Sequence, residues 1–136
     1  MKPLFLALLA LVVSLQCGCK SAGDYERNNS DTAAWLQAHA GRPGINVAGH
    51  WDSEDWGEGH FKQVGNKVTG ILGDYPIGGV LNGDSLFLAI TENGWTSYTA
   101  ILRPSVQPQT FVGNYSYKVP FSTDDQKPMM LTRAPQ

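Results

Sequence analysis

Hydrophobic and polar positions divide the chain into four stretches. An apolar run from Leu4 to Leu15, broken only by Ser14, is followed by the polar segment "KSAGDYERNNS" over residues 20–30. Next, "SDTAAWLQAHAG" sets Trp35, Leu36 and His39 at three- and four-residue spacing, which is one face of a helix. Ser30 or Asp31 supplies a cap and Gly41 a C-terminal stop. Pro43, with no amide hydrogen, cannot continue the turn, so a short helix is predicted over residues 31–41. From Gly44 onward the period changes. "HFKQV", Gly65–Asn66 and "KVTGIL" read as a hairpin with a two-residue turn, and "YPIGGVL" and "SLFLAI" as a second one turning at Asn82–Gly83. "WTSYTAIL", "TFVGNYSY" and "PMMLTR" follow. With "GHWDS" in front, this makes about eight short strands roughly ten residues apart, the rhythm of an antiparallel meander. Closure into a barrel removes bare strand edges, and Gly70, Gly78, Gly79 and Gly113 sit mid-strand, where bends are needed. The predicted fold is all-β: a small antiparallel barrel over residues 45–136 preceded by one short helix, with a two-sheet sandwich as the alternative.

The N-terminal run sets the compartment. Behind one early cation, Lys2, it is too short to span a bilayer and reads as the core of a signal peptide over residues 1–18. "LQCGCKS" resembles the lipobox of bacterial lipoproteins, in which a small residue precedes a cysteine that is lipidated and becomes the mature N-terminus. Gly18–Cys19 occupies that position, Leu15 lies one place further upstream than the motif prefers, and Cys17 is the alternative acceptor. The resemblance implies a lipid anchor at Cys19, a polar tether over residues 19–30, and the bacterial cell envelope as location. Lys20, in place of Asp, resembles the signal for sorting to the outer membrane, facing the periplasm. Both cysteines lie in this region, so the folded domain has no thiol for a disulfide, a nucleophile or a metal ligand. Without Lys2 there remain nine Lys and Arg against twelve Asp and Glu, a formal charge of −3. No basic patch is present, and nucleic acid is not an expected partner.

A second resemblance rests on Gly49-His50-Trp51 at the first strand and Arg133 at the end of the last. In calycins (lipocalins, fatty-acid-binding proteins and avidins) a Gly-x-Trp on strand one meets a basic residue from the last strand, which stacks over the tryptophan and closes the barrel's end. Gly49, Trp51 and Arg133 are similar in type, order and placement, and "NKVTGIL" and "LNGDSLFLAI" look like the Gly-rich hairpins of short avidin-type barrels. The resemblance covers residues 47–136. It implies a barrel and carries over no ligand contacts, since fold analogy does not transfer function.

The densest chemistry is "GHWDSEDWGEGHF", with two histidines, four carboxylates and two tryptophans. His50 and His60 with Asp52 or Glu58 have the composition of a two-His, one-carboxylate metal site. If Trp51 points inward, however, strand alternation sends His50 and Asp52 to the wet face. A solvated acidic loop between two strands is the preferred reading. The carboxylates share one polar environment and so have no means of dividing acid and base roles. No nucleophile elbow, zinc-protease helix or phosphate-cradling loop occurs, and neither enzymatic activity nor a cofactor is expected. The aromatics carry more. Trp56 lies in the acidic turn, Trp95 begins a strand, and Tyr98, Tyr115 and Tyr117 follow on later strands. If the domain binds a ligand, Trp56, Trp95, Tyr98 and Tyr115 are the candidate contacts. The leading expectation is a non-catalytic envelope lipoprotein whose barrel binds a small apolar or aromatic ligand or a protein partner. The competing readings are an assembly factor docking through the Trp35 helix or "VPFSTDD", and a small metal-dependent hydrolase using His50 and His60.

Overall fold

The computed structural model describes residues 22–135. It comprises one helix, α1 (Ala22–His39), and eight strands: β1 (Gly49–Ser53), β2 (Gly57–Val64), β3 (Lys67–Leu72), β4 (Tyr75–Asn82), β5 (Ser85–Glu92), β6 (Trp95–Pro104), β7 (Thr110–Ser116) and β8 (Lys127–Arg133). Each strand pairs antiparallel with the next. β8 returns to β1, with Trp51 opposite Arg133 and Asp52 opposite Thr132. The sheet is therefore a closed barrel, not a sandwich, and is compatible with a calycin-like small barrel. The signal peptide and the lipidation positions Cys17 and Cys19 lie outside the described residues.

Tight turns set this topology. Gly65–Asn66, Gly73–Asp74, Gly83–Asp84 and Asn93–Gly94 each join two strands as two-residue loops. Asn93 and Gly94 both take positive φ, 52° and 78°, the turn whose twist matches that of the flanking strands. The turn after β4 falls one residue later than the sequence suggests, because Asn82 pairs with Ser85. Alternation of the meander then defines two ends. The base carries the β2–β3, β4–β5 and β6–β7 turns with Gly49 and Arg133, and the mouth carries the other four connections. Inward residues such as Trp51, Phe61, Leu72, Leu88, Leu102 and Leu131 are fully buried and fill the interior. Eight strands leave a bore that side chains can fill. Gly113 is required by close approach, since a Cβ there would collide with the carbonyl oxygen of Ile101 on β6.

The helix differs from the expectation at its start. It begins at Ala22, so residues 22–30, read as part of a tether, are helical, and Ser30 and Asp31 lie within the helix as exposed residues instead of capping it. The cause is tertiary. Asn28, Thr32 and Trp35 form a buried stripe at four- and three-residue spacing, and two of the three are polar. The Asn28 amide donates to the Thr96 carbonyl at 3.0 Å and accepts from the Thr96 N–H at 2.8 Å, while the Thr32 and Thr96 hydroxyls lie 2.9 Å apart. Thr96 lies where the β5–β6 register slips between Ile90 and Thr91, and that slip turns it from the Tyr98 face toward the helix. Further along, Trp35 packs with Val80 and Phe87 on the barrel's outer wall, and His39 stacks on Phe87 at 4.5 Å. The predicted docking face of Trp35, Leu36 and His39 is thus in place, with Leu36 at its edge.

Candidate functional site

Each end of the barrel carries a tryptophan. At the base, Trp51 is buried between Phe61 and Phe111, and its indole N–H donates to the Val47 carbonyl at 2.8 Å. The Arg133 guanidinium lies 4.4 Å from the centroid of the Trp51 ring. It donates to the carbonyls of Ala48 at 2.6 Å and Asn46 at 2.7 Å, and to Oε1 of Gln109 at 2.9 Å. Gly49, at φ 125°, passes beside the same guanidinium. Gly49, Trp51 and Arg133 therefore meet at the base, where β8 returns to β1, and each guanidinium nitrogen and the indole N–H has an acceptor.

The mouth is built differently. Residues Glu54–Trp56 form the short turn between β1 and β2, and Trp56 folds back toward the barrel axis. Tyr75 opens β4, Tyr98 lies on β6 and Tyr115 on β7, toward the mouth ends of strands whose inward residues further down include the core side chains Ile77, Ala100 and Phe111. Their rings meet Trp56 nearly at right angles, with centroids at 5.8, 5.0 and 5.1 Å. Tyr117, just past β7, joins Tyr98 at 5.3 Å and Tyr115 at 5.7 Å and stays 50% exposed. Within this cluster the Trp56 indole nitrogen is buried with no hydrogen-bond partner. A buried donor left unpaired costs about 1–3 kcal/mol, so this is a place where stability has not been maximised.

Charge around the rings is mostly negative. Glu92 holds the Tyr75 hydroxyl pKa above its ordinary value by its charge, with burial, a hydrogen bond to the same carboxylate and Asp74 acting in the same direction. Burial, then Glu92, raises Tyr98. Tyr115 is pushed up to about 12, first by its hydrogen bond to Tyr117, then by burial, with Asp55 contributing. Tyr117 is lowered, since it accepts from Tyr115 and from Lys127, whose ammonium sits 5.1 Å from the Tyr117 ring centroid.

Of the four ligand candidates, Trp56, Tyr98 and Tyr115 come together and Trp95 does not. Trp95 lies edge-on to Tyr25 of α1 at 5.1 Å, and lines a separate cleft of about 260 Å³ with Asp24, Arg27 and Asn28 that reaches Tyr117. Tyr75 and Glu92 were missed. Their signal was topological: both flank mouth turns of the meander, as Trp56 does. His50 and His60 are cross-strand partners on the outer face with rings stacked 4.5 Å apart, and the next outward pair is Asp52 and Glu58. Among the described residues, no group of three or more His, Cys, Asp or Glu is placed to hold a metal ion. Comparison of the chain with protein-family models, curated proteins and solved structures finds no match.

Proposed function

We propose that the chain is a non-catalytic cell-envelope lipoprotein, anchored through Cys19 (or Cys17), whose calycin-like barrel binds a small apolar or aromatic ligand at its mouth. The single observation that carries this reading is the mouth cluster: Trp56 with Tyr75, Tyr98 and Tyr115, half-buried around an indole N–H that no protein group satisfies. The pairing of Trp51 with Arg133 at the base supports kinship with calycins and leaves the mouth as the end free for function. The test is titration with N-phenyl-1-naphthylamine, a neutral aromatic probe. Saturable binding that Trp56→Ala abolishes and Trp95→Ala leaves intact supports the proposal. Binding lost in Trp95→Ala and kept in Trp56→Ala would place the site in the helix-side cleft instead.

One observation favours the assembly-factor reading as the second choice. Val112 and Met130, cross-strand partners on β7 and β8, are exposed on the outer wall. They adjoin a cleft of about 250 Å³ whose lining includes Val112, Ile101 and Phe121, the last from "VPFSTDD". Trp35, the other predicted docking element, is occupied by the chain's own barrel. Crosslinking from Met130 to one reproducible envelope protein would favour this reading.

A further inference from the structure

The mouth is more selective than an apolar patch, and its charges say for what. Four carboxylates act on its tyrosines: Glu92 on Tyr75 and Tyr98, Asp74 on Tyr75, Asp55 on Tyr115 and Asp125 on Tyr117. Against them stands Lys127, and the ammonium of Lys127 already rests over the ring of Tyr117. Arg27 lines the helix-side cleft in company with Asp24 and Asp31. The chain's own Lys127 thus sets one ammonium against an aromatic ring of the rim, where it also hydrogen-bonds the Tyr117 hydroxyl. Ring faces attract cations through their quadrupole, and a surrounding excess of carboxylates strengthens the preference. The second requirement comes from Trp56. Its N–H is buried without an acceptor, in a three-residue turn at the mouth whose other members, Glu54 and Asp55, are exposed.

We propose that the mouth binds a small organic ammonium carrying a neutral acceptor oxygen, the cation seated on the tyrosine faces inside the carboxylate rim and the oxygen accepting from Trp56 Nε1. This rests on the mouth being the binding end and goes beyond an apolar or aromatic ligand to a cationic one, which the same ring faces attract. Recognition divides between two chemistries, and each is separately removable.

Three probes separate them on the full chain, followed by tryptophan fluorescence and by the chemical shift of the Trp56 indole N–H. Choline has both the charge and the oxygen. Tetramethylammonium has the charge alone, and 3,3-dimethylbutan-1-ol has the shape and the oxygen without the charge. Choline is expected to bind about tenfold more tightly than the neutral alcohol, since one cation on an aromatic face accounts for a difference of that order. Glu92→Gln should weaken choline and tetramethylammonium and leave the alcohol unchanged. Trp56→Phe, which keeps a ring and removes the donor, should erase the advantage of choline over tetramethylammonium. Equal binding of choline and the alcohol overturns the cation assignment. Failure of all three probes with retained, Trp56-dependent binding of N-phenyl-1-naphthylamine overturns it too and leaves the binding mouth standing. Failure of the naphthylamine as well removes the mouth as a binding site.

Discussion

Replacing Asn28 by alanine tests whether the N-terminal helix is part of the fold or an extension of the tether. The Asn28 amide makes two hydrogen bonds, at 2.8 and 3.0 Å, to the N–H and C=O of Thr96, and both partners are buried under the helix. Truncation removes both bonds and strands a backbone donor and acceptor where the β5–β6 register slip already disturbs the ladder. Each lost neutral bond is worth about 1 kcal/mol net, and each stranded group adds a desolvation cost, so the loss sums to about 2–4 kcal/mol. With a urea m-value of about 1.5 kcal/mol/M for a domain of this size, the midpoint should fall by about 1.3–2.7 M at unchanged m. Asn29→Ala is the control: same residue type, same helix, exposed. It should shift stability by no more than about 0.5 kcal/mol. Hydrogen exchange adds the local readout, with the Thr96 amide and the amides of residues 25–32 losing protection together in Asn28→Ala. Equal midpoints for the two variants would refute the reasoning, because a helix whose central polar anchor can be removed freely is not docked.

Two further outcomes follow from the two ends of the barrel. Arg133→Ala should cost about 2–3 kcal/mol, from two charge-assisted bonds to backbone carbonyls and the stacking over Trp51, and Arg133→Lys about half of that because the forked geometry is lost. Thermal unfolding of the two variants checks the order, and equal losses would mean that charge alone matters. At the mouth, Tyr75, Tyr98 and Tyr115 are raised and Tyr117 alone is lowered. A raised group contributes stability that is fully present below its unfolded value of about 10 and is lost as pH climbs through its folded value, so the domain should weaken between about pH 10 and about pH 12. Tyrosinate absorbance should show one group ionising near 12, and Tyr117→Phe should bring it down by removing the hydrogen bond that holds it there.

The barrel was legible because its information is local. Glycine-bearing turns at short intervals point to a meander, closure removes the edges that short strands would leave bare, and Gly49, Trp51 and Arg133 meet at its seam. The helix start was illegible for a matching reason. A buried stripe made of Asn28 and Thr32 looks solvated in sequence, and only the backbone of Thr96 makes it apt. The site was legible in part. Trp56, Tyr98 and Tyr115 stand out as aromatics in turns and strands, while Tyr75 and Glu92 become neighbours only when the turns are sorted by barrel end. Trp95 illustrates the converse: prominent in sequence, it is paired with Glu92 beyond the register slip and drawn to Tyr25 on the helix side.

The contrast between the two tryptophans is the strongest argument for where function lies. Trp51 and Trp56 are five residues apart, and each caps one end of the same filled core. At the base, the indole N–H has its carbonyl and all three guanidinium nitrogens of Arg133 have acceptors. At the mouth, the indole N–H has none, and the tyrosine hydroxyls around it are shifted by one another and by carboxylates. A plug needed only for closure is met by phenylalanine, as at Phe61 and Phe111 beside Trp51. Buried polar groups in native proteins are nearly always paired, and sites that break this local rule are more often functional than structural. The base satisfies its own polar groups and the mouth leaves a donor open within a ring of tyrosines, and this difference is the reason the proposed site is placed at the mouth.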